Sequence, residues 1–253
     1  MSAGPAPTRY DSIGRSYTQT RRTEPRFAAL ILAALGDAHR VCNVGAGTGS
    51  YEPADREVVA VEPSTTMICQ RPSGAAPVVR AYAEALPFAD TTFDAALAIF
   101  TVHHWADPTR GLRELGRVAP RQVILSFDPD FDRDFWLVTG YFPEIAALDA
   151  ESGAQATPFV GNVLPVRRVE PLPVPADCVD GFAACFWNRP EAYVQPDVQA
   201  GISCLARLAP DALARGTERL RADLESGAWD ARHGHLRTLA ELDVGYRLIV
   251  AGD

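Results

Sequence analysis

Long apolar runs are missing from this sequence. No stretch approaches the roughly 20 residues that span a bilayer, and the opening MSAGPAPTRYD lacks the charged start and apolar segment of a secretory signal. The expectation is a cytoplasmic chain without a membrane partner. Positive charge is also scarce, with 24 Lys and Arg against 32 Asp and Glu and a formal net charge of −8. A phosphate backbone wants a basic face, so nucleic acid is not an expected partner, while a small neutral or cationic molecule suits the balance. Cysteine patterning is absent: Cys42, Cys69, Cys178, Cys185 and Cys204 are odd in number and scattered, with no C-x-x-C spacing for a metal or redox pair. Buried free thiols are expected. His233 and His235, in an HGH on an expected loop, have no acid or cysteine at zinc spacing, so no metal is expected. Repeats, low-complexity tracts and domain linkers are lacking too, and the oligomeric state is left open. What is present is an ordinary globular balance, 47% hydrophobic and 22% charged over 253 residues, enough for one domain with an elaboration.

Strand-like and helix-like segments alternate through the first half. Thr23 is placed to cap a helix in which Phe27, Leu30, Ile31, Ala34 and Leu35 share one face, and Gly36 ends it. Short β-like runs follow at 40–44, 57–61, 77–80, 93–100 and 122–127, with a helix over 108–118. Such alternation predicts a parallel sheet covered by helices on both faces. The runs AALAIF and VILSF are apolar without alternation, as befits strands buried on both sides. Beyond Asp128 the pattern loosens into an aromatic-rich helix over 131–148, a strand at 166–172, helical stretches at 198–208 and 211–226, and a last strand at 246–250.

The first chemical signal is a glycine turn. Strand RVCNV runs straight into Gly45-Ala46-Gly47-Thr48-Gly49, and glycine lets the backbone bend tightly and approach a ligand without a Cβ in the way. Alone, such a turn also joins elements in proteins that bind nothing. A dinucleotide fingerprint would need G-x-G-x-x-G opening a helix onto a pyrophosphate, and here the third glycine comes one residue early. Only SYEPADR, with Pro53 inside it, separates the turn from the next strand, so the crossover is abbreviated and a nicotinamide dinucleotide is disfavoured. The second signal is Glu62, which ends the strand EVVAV 17 residues after Gly45, near the spacing at which an acid meets ribose hydroxyls. A surface acid at a strand end is the plain alternative.

Taken in order, VCNVGAGTG, VVAVEPSTTM, AYAEALPFADTTFDAALAIFTVHHW and PTRGLRELGRV resemble the successive motifs of class I S-adenosylmethionine (SAM)-dependent methyltransferases, especially the UbiE-like or methyltransferase-11 group. The resemblance covers about residues 40–128, and YDSIGRSYTQTRR resembles the N-terminal lid segment of such enzymes. It implies an α/β fold, a Rossmann-like doubly wound, mostly parallel seven-stranded sheet with helical insertions forming a lid over the substrate pocket. The expected division is one domain over 1–253, with a lid and helix at 1–36, a SAM-binding core at 37–128, and substrate-pocket insertions and last strands at 129–253. By the same resemblance, Gly45, Ala46, Gly47 and Gly49 line the methionine and ribose portion of SAM, and Glu62 holds the ribose hydroxyls. Pro63, Ser64 and Met67 flank the sugar and adenine, Ala83, Glu84 and Ala85 meet the adenine ring, and Phe100 and Thr101 face the methionine part. Where the family usually has an acid two residues before the first glycine, this chain has Asn43, whose oxygen can still accept a hydrogen bond from the SAM ammonium without bringing a charge; the alternative is that backbone carbonyls of the turn hold the ammonium.

The expected activity is transfer of the SAM methyl group to an O, N or C atom of a small molecule, in secondary-metabolite or other small-molecule biosynthesis. Asn43 admits an alternative, a SAM-fold protein that binds the cofactor but catalyses a non-methylating reaction or none. Methyl transfer needs alignment and at most a base, and His103 and His104 follow the fourth strand at the sheet's carboxyl edge; His104 is preferred. The bland alternative is that both imidazoles only support the loop. Asp128, at the end of the fifth strand, is a second candidate base or the cap of DRDFW. Tyr10, Tyr17, Arg21 and Arg22 are candidates to cover SAM and pair with its carboxylate, or form a solvated arm. Aromatic residues gathered beyond 130, from Phe131, Phe135 and Trp136 to Phe182, Phe186 and Tyr193, either line an acceptor pocket or pack as core.

Overall fold

The computed structural model describes residues 21–128, 134–150 and 157–253. Strands β1 (Arg40–Val44), β2 (Glu57–Val61), β3 (Val78–Val79), β4 (Ala95–Ile99) and β5 (Arg121–Phe127) come in the order that the apolar runs predict. With β6 (Val166–Pro171) and β9 (Tyr246–Gly252) they form one seven-stranded sheet, ordered β3-β2-β1-β4-β5-β9-β6. All neighbours from β3 to β5 are parallel, and β9 runs antiparallel between β5 and β6. A separate two-stranded ribbon, β7 (Val174–Pro175) with β8 (Glu241–Leu242), has no signal in the sequence beyond its brevity.

The two-residue period of the strands splits the core into two layers. On one face Val41, Leu97 and Val123 meet Phe27, Ile31 and Leu35 of helix α1 (Pro25–Leu35). On the other, Cys42, Ala96 and Ile124 meet Leu112, Leu115 and Val118 of a later helix, Pro108–Val118. The cap of α1 is Glu24 rather than Thr23: Pro25 takes the first helical position, where its missing N–H costs nothing, and the Glu24 carboxylate accepts from the Arg26 N–H. Thr23 instead accepts from the Tyr51 N–H. Leu30 is 42% exposed and does not share the buried face. Gly36, at φ 60°, ends the helix. No helix lies between β1 and β2; after β2 comes only the one-turn α2 (Thr65–Cys69), so the helix Pro108–Val118 is α3.

In the second half, the helix expected over 131–148 is two, α4 (Trp136–Gly140) and α5 (Glu144–Ala150), separated by a break that carries Pro143; Phe131 lies outside the described residues. After α6 (Thr157–Gly161), the stretch expected at 198–208 is likewise two helices, α7 (Pro196–Gly201) and α8 (Ser203–Ala206), parted by an extended Ile202. Then come α9 (Pro210–Glu225) and α10 (Ala228–His233). Most of the aromatic residues here are core: the Trp136 indole donates to the Trp187 carbonyl at 2.8 Å, the Trp187 indole to the Val174 carbonyl at 2.9 Å, and the Tyr193 hydroxyl to the Ala183 carbonyl at 2.7 Å. The HGH is not a loop, for His233 ends α10 against the Trp136 and Trp229 rings and His235 sits in a 3₁₀ turn. Burial, then the Arg232 charge, lowers the pKa of His233. All five cysteines are free thiols, and Cys69 is exposed, not buried. No helix among the described residues is long and apolar enough to cross a membrane.

Candidate active site

Strand β1 leads leftward in the sheet to β2 and β3, and its neighbour β4 leads rightward to β5, so their carboxyl ends part and leave a crevice. A cavity of about 950 Å³ opens there. Its floor is the glycine turn. The Gly45 and Ala46 N–H groups both donate to the Val61 carbonyl, at 2.9 and 3.0 Å, pulling the turn over β2. Gly45 has φ 71°, and a Cβ there would lie 1.9 Å from Thr101 Oγ1, so only glycine fits between β1 and the end of β4. One wall is Glu62, 5% exposed, whose Oε2 accepts from the Gly47 N–H at 2.8 Å and Oε1 from the Ser64 N–H at 2.9 Å. The carboxylate is thereby fixed in orientation before any ligand arrives.

Behind the turn lies an ion pair that the sequence did not reveal. Arg71 donates to both Glu52 oxygens, at 2.8 and 2.9 Å, and to the Gly47 and Ala76 carbonyls, with side chains only 5% and 9% exposed. Asn43 Nδ2 donates to Glu52 Oε1 at 3.3 Å. Position 43 therefore faces an acid already in place, and an amide there donates to Glu52 where a second carboxylate would repel it. Breaking a buried pair on one side leaves a charge uncompensated, so Arg71→Met is expected to lower stability by about 3–5 kcal/mol. A melting temperature within a degree or two of the parent would contradict this.

Asn43, Gly45, Ala46, Gly47 and Glu62 all line the cavity, as do Pro63, Met67, Ala83 and Glu84 farther along and Phe100 and Thr101 at the end of β4. Gly49, Ser64 and Ala85 do not. The Cα of Gly49 faces Glu52 and Arg71, fully buried Ser64 caps α2 by accepting from the Met67 N–H, and Ala85 is exposed. Tyr17, like Tyr10, lies outside the described residues. Glu84 is more than a wall: its Oε1 accepts from the Ala106 and Asp107 N–H groups, at 2.8 and 3.1 Å, tying its loop to the start of α3.

Strand β4 stops at Ile99 because Phe100 takes φ 53°, and a 3₁₀ turn, Val102–His104, follows. A continuing strand would have turned His103 and His104 to opposite sides. The 3₁₀ turn instead brings both imidazoles into the cavity wall, ring centroids 3.8 Å apart. Asp128 is elsewhere, paired with Arg247 at 2.8 Å and accepting from the Thr157 hydroxyl, and lines neither this cavity nor the chamber beyond it. Arg21 lines the cavity, yet its guanidinium is gripped by Asp180, Nε to Oδ1 at 2.6 Å and Nη2 to Oδ2 at 3.1 Å, and lies over the Phe100 ring. Asp180 also accepts from the Tyr51 hydroxyl at 2.7 Å. Burial, then the Asp180 charge, pushes the Tyr51 phenol well above its ordinary range and keeps it a neutral donor. Exposed Arg22 donates only its backbone N–H to Asp180. Tyr51, Tyr82 and Arg207 also line the cavity, and sequence reasoning passed over all three.

Past the histidines a small inner chamber of about 60 Å³ opens between Phe127, Phe182 and Tyr246. Phe182 and Tyr246 meet edge to face with centroids 5.0 Å apart, and Phe100 packs against both. Of the late aromatic residues, then, Phe182 faces the crevice while Phe135, Trp136 and Tyr193 are core.

Fold and crevice define a Rossmann-like α/β protein with an open cleft at its switch point. Comparison with known proteins narrows the class. The methyltransferase domain family matches residues 42–127. A demethylmenaquinone methyltransferase of Deinococcus radiodurans is 31% identical over 192 residues, 68% of this chain and 79% of that protein. A solved structure from Anabaena variabilis, assigned as a methyltransferase of an antibiotic biosynthesis pathway, is 32% identical, with 93% of this chain and 100% of that one covered and a TM-score of 0.81. The uncharacterized methyltransferase YcgJ of Bacillus subtilis is 30% identical over 122 residues, and there the chain spans only 44% of the relative's length. The chain belongs to the class I SAM-dependent methyltransferases, in the methyltransferase-11 group.

Proposed function

We propose that this protein transfers the methyl group of SAM to a small-molecule acceptor, in secondary-metabolite or other small-molecule biosynthesis. The observation that carries the reading is that the glycine turn, the anchored Glu62 and the histidine pair open into one cavity. The residues suit the cofactor: Gly45 and Gly47 put no Cβ between backbone and cavity, and both Glu62 oxygens are aligned by backbone donors and keep lone pairs for a diol. When bound, SAM supplies a methyl group already activated on a sulfonium. The chain's own residues then have to hold the acceptor in line, keep water out and take one proton. His104, or His103 beside it, is the base. Asn43 and Arg21 complete the cofactor wall, and the described residues of the flanking segments, 21–36, 134–150 and 157–253, form the lid and acceptor pocket around the core at 37–128. The biosynthetic role draws support from the Anabaena relative, which is assigned to an antibiotic biosynthesis pathway.

Purified protein is expected to bind SAM or its demethylated product, S-adenosylhomocysteine, with micromolar-range affinity, and to bind NAD far more weakly, because no helix starts from the turn between β1 and β2 to receive a pyrophosphate. Calorimetry reverses the assignment if NAD binds and neither sulfur nucleoside does. Incubation with methyl-labelled SAM and candidate acceptors, followed by mass spectrometry, tests transfer itself. Cofactor binding with no labelled product from any acceptor supports the non-methylating alternative.

A further inference from the structure

The crevice is polarised along its length. Glu62, Glu84 and Asp107 line the main cavity toward the cofactor end, where Arg110 is the one cation beside them among the described lining residues. Among the described residues lining the inner chamber there is no carboxylate, and the cationic or basic side chains are Arg21, Arg207, His103 and His104. Asp180 neutralises Arg21. Arg207 differs: it is half-buried, lies just past α8 where it lines both the main cavity and the chamber, and no residue among those described pairs with its guanidinium. The chain has no lysine, so every permanently cationic side chain in it is an arginine. A cation half out of water with no partner among the described residues is poised for an anionic ligand, and a guanidinium fits a carboxylate in a bidentate way. The chamber beside it is walled by Phe127, Phe182 and Tyr246 and admits only the end of an acceptor.

We infer that the acceptor is an acid with a flat apolar body, its carboxylate held by Arg207 at the junction of the two spaces and the edge of its ring directed at the mouth of the aromatic chamber. The local field selects against the cationic amines that the overall charge of −8 would suit. This rests on the methyltransferase reading above, in which the histidine pair faces the reacting atom.

Protein saturated with S-adenosylhomocysteine is titrated calorimetrically with 2-naphthoate, 2-naphthamide and 2-naphthylmethylammonium, as wild type, Arg207→Gln and Arg207→Lys. The acid is expected to bind at least about tenfold more tightly than the amide or the amine. Arg207→Gln abolishes that preference with homocysteine-product affinity unchanged, and Arg207→Lys keeps part of it. Equal binding of acid and amide, binding of none of the probes, or a preference that survives in Arg207→Gln overturns the inference. If wild type fails to bind S-adenosylhomocysteine at all, the methyltransferase reading falls and this one with it; if it binds and the acid preference is missing, only this one falls.

Discussion

Replacing His104 by alanine is expected to lower turnover by about 10²–10⁴-fold while leaving SAM affinity nearly intact, because a positioned base acts on the acceptor and not on the cofactor. The geometry adds a condition. With the two imidazoles 3.8 Å apart and both in the wall of the cavity and of the inner chamber, His103 is not an inert neighbour. The His103 ring is also held edge to face by Phe127, centroids 5.2 Å apart, which fixes it as part of the chamber wall. His103→Ala should therefore disturb acceptor KM more than kcat, and His104→Ala the reverse. The double variant should be no worse than His104→Ala in kcat if one imidazole carries the proton, and markedly worse if the second substitutes for the first. Turnover within about threefold of wild type in both singles and in the double, a barrier change under about 1 kcal/mol, would exclude a base here and leave alignment as the whole of catalysis.

The parts legible in the sequence were those fixed by local chemistry. Strands β1 and β2 and helix α3 have the expected limits because each apolar run is bounded by its own punctuation: charged Arg40 and Glu57 at the strand starts, a glycine turn after Val44, and Asp107-Pro108 before the helix. The Asp107 side chain does cap α3, accepting from the Arg110 N–H. What was illegible is set by contacts remote in the chain. Arg21 reads as a free cation for a cofactor carboxylate, but its partner Asp180 is 159 residues away. Glu52 and Tyr51 lie in a segment that looks only like a shortened crossover, yet one supports the glycine turn and the other braces Asp180. The turn of the histidine pair depends on the left-handed backbone of Phe100, whose ring is held by Phe182 and Tyr246 from the far half of the chain. Nothing in the sequence around Arg207 separates it from the other arginines.

Glu62→Gln is expected to weaken cofactor binding by at least about a hundredfold, as severely as Glu62→Ala, although glutamine is nearly isosteric. A carboxylate offers two acceptors, and both are used: one by the Gly47 N–H, the other by the Ser64 N–H. An amide offers one. Whichever way the glutamine is turned, its NH₂ group meets a backbone N–H, and that donor is left unsatisfied at a site 5% exposed, at a cost of about 1–3 kcal/mol. The ligand diol loses a charged acceptor as well, worth about 1.5–3 kcal/mol per bond. Alanine removes the acceptors too, but it leaves room for water to satisfy the two N–H groups, so the smaller side chain should do no more harm than the larger. Because Gly47 and Ser64 flank the turn and the cap of α2, the Gln variant should also melt earlier than the Ala variant. Calorimetry with S-adenosylhomocysteine and thermal unfolding on both variants decide it. A Gln variant that binds within about threefold of wild type would mean that hydrogen-bond geometry, and not the charge and double acceptance of Glu62, governs this wall of the site.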